Sequence, residues 1–308
     1  MSAARVAVLD VGTSSILLLI VERGPDGRLV VVDDRCRVEG LGRGVDRTGR
    51  LQEDALARGL DAMREYADAI RAAGATRVAA VGTQALREAE NGAAFLEPAR
   101  ALLGVPVEVI TGDREARLVL GAVRDGFPEL AAGRFVVCDV GGGSTEMIVA
   151  EGARLDTVVS VPIGSVRLAE RHLRSDPPTA AELRELDDAI DHALAKVALG
   201  TGPLVATAGT ATTVAAIAQE LAPYDPDRVQ GYRVTREVLD AQRARLAAMP
   251  LATRKGVRGL MPQRADTIVA GAAILARVLH RAGAREMIVS DRGVRWGLAA
   301  ELLATGSI

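Results

Sequence analysis

The apolar positions of the chain fall into two textures that recur in the same order. Short dense runs such as Val6–Leu9, Ile16–Val21 and Phe135–Cys138 have a β-rich composition and predict strands, while Leu51–Ala73 and Ala180–Leu199 carry helical patterns. Val6–Glu22 (VAVLDVGTSSILLLIVE) aligns without a gap with Phe135–Glu151 (FVVCDVGGGSTEMIVAE), 129 residues further on, placing Asp10 on Asp139, Gly12 on Gly141 and Ser15 on Ser144. Val78–Thr83 matches Val205–Thr210 in the same order, and Asp113, Arg114 and Arg117 match Asp291, Arg292 and Arg295 more weakly. Each first element reads as a hairpin closed by an Asp-x-Gly turn; each second reads as a strand, a Gly-Thr and an Ala-rich helix. With a strand (29–36 or 155–161) and a helix between them, each half reads β-β-β-α-β-α-β-α. The prediction is a duplicated α/β domain. The first copy covers 1–124 and is completed by a helix over 294–308; the second covers 125–293 and carries an insertion at 222–264, read as helical. Two such hairpins facing each other across a cleft would offer backbone N–H groups from both sides to an anion.

Composition narrows the classes. A chain of 308 residues has room for two domains, and 49% hydrophobic with 25% charged residues excludes disorder. The aliphatic run Ile16–Val21 is far shorter than a membrane span of roughly 20 residues. No signal-peptide pattern opens the chain, so a cytoplasmic protein with no membrane partner is expected. Cys36 and Cys138 lack metal or redox spacing and read as small hydrophobes; His172, His192 and His280 are too dispersed for zinc. Seven scattered aromatics do not suggest nucleic-acid binding. The whole chain carries −2, but residues 222–264 hold nine basic against four acidic side chains. That segment points either to an anionic partner or to a solvated helical face.

The stretch Asp139-Val-Gly-Gly-Gly-Ser-Thr-Glu146 is the most informative. Gly141, Gly142 and Gly143 remove every Cβ from the turn and let the backbone approach a ligand closely. Ser144 and Thr145 add hydroxyls, and Asp139 and Glu146 bracket the loop with carboxylates able to hold Mg²⁺. Gly12, Thr13, Ser14 and Ser15, after Asp10, form the matching loop. Gly82-Thr83 and Gly209-Thr210 stand where strands turn into helices, either presenting helix N-termini to an anion or simply capping them. Glu115 replaces the glycine found at Gly293 in the other copy, and Arg87 is expected near the start of its helix, where a bound anion would explain a cation. Walker and GxGxxG signatures are absent.

At these residues the sequence resembles the exopolyphosphatase and guanosine pentaphosphate phosphohydrolase family of the actin-like ATPase superfamily, in its short two-domain form. The likeness runs through DVGTSS (10–15), GTQALREAEN (82–91), VEVITGDREAR (107–117), DVGGGSTE (139–146), VPIGSVRLAE (161–170), ATAGT (206–210), RADTIVAGA (264–272) and GVRWGL (293–298). It implies two actin-like, ribonuclease H-like domains and Mg²⁺-dependent hydrolysis of a terminal phosphoanhydride, with release of orthophosphate from linear polyphosphate. Conversion of pppGpp to ppGpp is the alternative on the same machinery, and a non-catalytic alarmone-binding regulator is a third reading. By resemblance Glu115 is the catalytic carboxylate and Glu146 a second base. Asp139, Glu146 and Asp10 are metal ligands, and the two Asp-Gly loops and Arg87 bind phosphate. Arg254, Lys255, Arg258 and Arg264 are expected along the path of the chain, and a homodimer is expected. The chain departs from the family at Ser14, where an asparagine is more usual, and at Arg114, where many relatives are acidic.

Overall fold

The architecture is that of a computed structural model of the chain, which describes residues 4–25, 27–152 and 154–305. It divides into two compact units, residues 1–122 with 294–308, and residues 123–293. The last three residues of the helix expected over 294–308 lie outside the described residues.

Unit 1 runs β1 (Val6–Val11), β2 (Ile16–Arg23), β3 (Leu29–Arg37), α1 (Val45–Thr48), α2 (Glu53–Ala73), β4 (Arg77–Gly82), α3 (Gln84–Glu88), α4 (Ala93–Leu103), β5 (Val107–Val109) and most of α5 (Gly112–Gly126), whose last residues belong to unit 2. Its sheet has the order β3-β2-β1-β4-β5, antiparallel across the first three strands and parallel from β1 to β5. Unit 2 runs β6 (Arg134–Val140), β7 (Thr145–Glu151), β8 (Arg154–Val161), α6 (Ser165–His172), α7 (Ala180–Leu194), β9 (Leu204–Thr207), α8 (Ala208–Ala218), α9 (Pro226–Val229), β10 (Arg233–Thr235), α10 (Arg236–Ala247), α11 (Leu251–Arg254), α12 (Ile268–Arg281) and β11 (Glu286–Val289). Read as β8-β7-β6-β9-β11-β10, its sheet repeats the order and directions of the first and adds one antiparallel edge strand. This twice-built sheet is the actin-like, ribonuclease H-like fold. The added strand β10 lies within 222–264, so the insertion is not purely helical as expected but also extends the sheet.

The strands are apolar because they are covered on both sides. β1 and β7 are buried nearly throughout, which removes the alternation a one-faced sheet would show. In unit 1, α2 lays Gly59, Ala62, Met63, Tyr66 and Ile70 on the sheet at helical spacing, and ends at Gly74 in the left-handed conformation. The Tyr66 hydroxyl, buried beneath β2, donates to the Ile16 carbonyl at 3.0 Å. In unit 2 the central helix is α12, buried over nearly its whole circumference, as its unbroken apolar sequence requires. α7 opens on a capping box in which Thr179 and Glu182 satisfy each other's backbone N–H groups.

The last helix, α13 (Val294–Ala304), packs on β1 and β2 and completes unit 1. Gly297 lets it approach α5 so closely that a Cβ there would collide with the Leu118 carbonyl. Arg114 of α5, the residue that departs from the family pattern, forms an ion pair with Glu301 of α13. Gly297→Ala should therefore cost ~1–3 kcal/mol by overpacking. That is a fall of about 2–4 °C per kcal/mol in the unfolding midpoint, measurable by calorimetry, whereas Arg114→Ala, at a half-exposed pair, should shift it little.

Candidate active site

The two hairpins are built alike. Gly12 N–H donates to the Ser15 carbonyl at 2.9 Å, and Gly141 N–H donates to the Ser144 carbonyl at 3.0 Å, closing both turns at matched positions. In each the loop carbonyls are held by another segment. In unit 1 the carbonyls of Thr13 and Ser14 accept from Gly42 (2.8 Å) and Gly40 (2.9 Å). In unit 2 the carbonyl of Gly141 accepts from Ser165 N–H (2.9 Å) and Gly142 from Val166 (2.9 Å) and Arg167 (3.1 Å), while Gly143 accepts from Arg167 Nε (2.8 Å). A planar trans peptide points its N–H opposite its C=O. The N–H groups of Ser14 in unit 1 and of Gly142, Gly143 and Ser144 in unit 2 are accordingly turned away from the backing segments, and these, together with the N–H of Thr13, have no acceptor among the described residues. Consecutive outward N–H groups of this kind form an anion nest.

Neither backing segment stands out in the sequence as part of the site. Gly40 and Gly42 flank Leu41, Gly40 at φ 63°, and a Cβ on Gly42 would run into the Thr13 side chain. A Cβ on Gly164 would strike the Gly142 peptide. Closely spaced glycines at 40, 42 and 44, and the glycine that opens α6, were the available signals.

Around the unit 1 loop stand three charged groups. Asp10, level with Leu17 on β2 and Val81 on β4, is half-buried, with its Oδ1 buried and unpartnered among the described residues. Its carboxyl is pushed up to about 7, first by burial and then by the charge of Glu115, against a lowering from Arg295. Glu115, in the first turn of α5, is held by Arg87 Nη1 at 2.9 Å. Burial raises its pKa and Arg87 opposes the rise. Arg87 also donates to the Ile110 carbonyl (2.7 Å) and to Gln84 (2.7 Å). Arg87 is the fourth residue of the five-residue helix α3, and its guanidinium is held by the Glu115 carboxylate. Thr83 makes no side-chain capping bond, so capping does not account for it.

In unit 2 the residue level with Asp139 is Glu146, so the two carboxylates are cross-strand neighbours where unit 1 pairs Asp10 with Leu17. Both are buried, and Ser160 of β8 donates to Glu146 Oε1 at 2.7 Å. Thr145 departs from the expected phosphate-binding role: it is fully buried, and its hydroxyl donates to the Ile163 carbonyl at 2.7 Å. On the parallel strands, Thr207 stands level with Asp139 while Val81 stands level with Asp10, so Gly82 corresponds to Ala208 and not to Gly209. Ala208 takes the left-handed conformation, φ 66°, as the chain turns into α8.

Of the four expected path residues, Arg264 lies against Gly209, where a Cβ would overlap its guanidinium. Lys255 and Arg258 are exposed, Arg258 donating to the Glu220 carbonyl at 3.3 Å. Arg254 is a correction. It is 3% exposed, and its guanidinium donates to the carbonyls of Leu246, Ala265 and Met249 at 2.7–2.9 Å, tying α10, α11 and the start of α12 together.

No group of three or more His, Cys, Asp or Glu side chains able to hold a metal occurs among the described residues. The donors present are nevertheless hard oxygens: the Asp139–Glu146 pair in unit 2, and in unit 1 the unpartnered Asp10 Oδ1. The Asp139–Glu146 pair fits a Mg²⁺ ion that keeps water and phosphate oxygens as its other ligands. No helix of the described residues is long and apolar enough to cross a membrane.

A ribonuclease H-like fold with glycine-rich anion nests and buried carboxylates defines a phosphoryl-transfer protein. The chain matches the Ppx/GppA phosphatase family over residues 19–305 and belongs to it. It is 38% identical to exopolyphosphatase 2 of Mycobacterium tuberculosis, over 98% of this chain and 99% of that protein. A guanosine-5′-triphosphate,3′-diphosphate pyrophosphatase of Vibrio atlanticus is 29% identical over 96% of this chain, which spans 59% of that longer relative. Among solved structures, the Ppx/GppA family member of Aquifex aeolicus superposes with a TM-score of 0.83 at 35% identity, covering 99% of both chains.

The sign of the Asp10 shift sets a test. Its folded pKa lies above the unfolded value of 3.8, so its stabilising contribution is complete below that value and is lost as pH rises through about 7. Asp10→Asn in EDTA should flatten this part of the pH–stability curve. Near pH 8 the variant should be more stable than wild type by up to roughly 4 kcal/mol, read as the unfolding midpoint across pH 4–8.

Proposed function

We propose that the chain hydrolyses the terminal phosphoanhydride of linear inorganic polyphosphate, releasing orthophosphate and a chain shorter by one unit. The observation that carries this reading is the pair of hairpin nests, with Glu115 buried beside the first and locked by Arg87. The similarity to a protein named exopolyphosphatase supports the same substrate.

In this reading the loop N–H groups of Gly142, Gly143 and Ser144 and of Thr13 and Ser14 bind phosphate oxygens and stabilise the charge that develops on them. Glu115 accepts the proton of the attacking water; the Arg87 contact fixes the direction of its carboxylate and keeps enough of it ionised despite burial. Glu146, oriented by Ser160, serves as a second carboxylate in the other unit. Asp139 and Glu146 in unit 2, and separately Asp10 in unit 1, would hold Mg²⁺, which would supply neutralisation of phosphate charge. Homodimerisation, a cytoplasmic setting and the absence of nucleic-acid or membrane partners belong to the same proposal.

A second reading, removal of the 5′ terminal phosphate of pppGpp to give ppGpp, is supported by the Vibrio relative. Polyphosphate and pppGpp offered side by side with Mg²⁺ separate the two through the ratio of kcat/KM values. Glu115→Gln should lower kcat on the preferred substrate by about 10²- to 10⁴-fold. A variant that keeps wild-type turnover removes Glu115 from the chemistry, and binding of either compound without turnover would favour a regulator.

Lys255→Gln combined with Arg258→Gln should weaken binding of long polyphosphate more than of tripolyphosphate, measured by competition. Equal effects on both would remove these residues from the path. Arg254→Ala should instead lower the unfolding midpoint, because it takes the guanidinium donor away from the Ala265 and Met249 carbonyls and leaves a cavity in its place.

A further inference from the structure

The Gly141–Gly143 turn presents three carbonyls to α6, and they are held by different kinds of donor. The first two are taken by backbone N–H groups of residues 165–167, which α6 supplies whatever its sequence. The third, that of Gly143, receives its bond from a side chain, Nε of Arg167 at 2.8 Å. Because C=O and N–H of one peptide unit are opposed, holding the Gly143 carbonyl fixes the direction of the Ser144 N–H. Arg167 is itself 7% exposed. A guanidinium at such depth is costly unless hydrogen-bonded, and it contributes positive charge beside the loop.

We propose that Arg167 is a positioning residue for phosphate capture, which locks the Gly143–Ser144 peptide so that the Ser144 N–H joins those of Gly142 and Gly143 in one convergent nest. This rests on the reading that the loop binds the substrate's terminal phosphate. The backbone bonds to Gly141 and Gly142 set two of the three donors; Arg167 sets the last. Lysine could restore one bond to the carbonyl but not the planar fork that fixes its direction.

The test uses Arg167→Met and Arg167→Lys in the full chain, with three readouts. On polyphosphate with Mg²⁺, the methionine variant should lose about 10- to 100-fold in kcat, as expected for a misplaced reacting group, and the lysine variant should recover part of that loss. Inorganic phosphate, titrated calorimetrically, should bind more weakly in the same order. By NMR, phosphate should shift the amide signals of Gly142, Gly143 and Ser144 in wild type; in the lysine variant the Ser144 shift should shrink while those of the two glycines persist.

A folded variant with wild-type kcat and phosphate affinity overturns the proposal. So does a loss that tracks only the unfolding midpoint, or a uniform change at all three amides. If the methionine variant does not fold, the lysine variant and its amide signals decide the matter. If wild type turns over neither polyphosphate nor pppGpp, the functional reading falls, and the phosphate titration of Ser144 still decides the role of Arg167. Failure of wild type to bind inorganic phosphate at these amides overturns both.

Discussion

A peptide unit cannot turn its carbonyl and its amide to the same side, and the site depends on that constraint. Where Gly42 draws in the Thr13 carbonyl, and where the start of α6 draws in those of Gly141, Gly142 and Gly143, the N–H of the same peptide unit is turned away without an acceptor among the described residues. Buried amides without acceptors cost free energy in the isolated protein, and an anion removes that cost. The glycines follow from the same geometry. Gly42 and Gly164 allow the backing segments to approach within hydrogen-bonding distance, and a Cβ at either would push away the N–H groups that donate to the loop carbonyls.

The duplicated framework carries unlike chemistry. At the position across the hairpin from the aspartate, one copy has Leu17 and the other Glu146; at the third matched element one has Glu115 and the other Gly293. Unit 1 thus holds a buried carboxylate tied to an arginine, and unit 2 holds two carboxylates side by side. The shared sheet order preserves the loops, while substitution at a few strand and helix positions decides what each loop has beside it.

Much of this was legible in the sequence, for identifiable reasons. The hairpins and their Asp-x-Gly turns could be read because a strand buried on both faces and a tight turn each leave a local signature in residue type. That the two sheets share one strand order follows from the repeat. Contacts made at long range left weaker signatures. Arg87 reaches Glu115 across 28 positions, and nothing near either residue in sequence specifies that pairing. Arg254 looks like any member of a basic run, yet three carbonyls brought together by tertiary packing bury it. The α6 helix is only eight residues long, too short for its apolar period to stand out beside α7. The Gly-Thr pairs misled by one residue, because identity at Gly82 and Gly209 favours an alignment that the strand register does not share.

The order of elements along the chain has a consequence for biosynthesis. Unit 2 is continuous from residue 123 to 293, whereas unit 1 is interrupted and receives α13 only after all of unit 2. The surface of β1 and β2 that α13 covers, and the Leu118 carbonyl against which Gly297 rests, are made first and completed last. On the ribosome the usual order is therefore reversed: the later unit has all its elements before the earlier one does. Closing unit 1 requires bringing together segments separated by the whole of unit 2. The entropic penalty of joining them grows only logarithmically with the intervening length and falls further once unit 2 has compacted. Until then the apolar residues of β1 and β2 that α13 covers lack that partner.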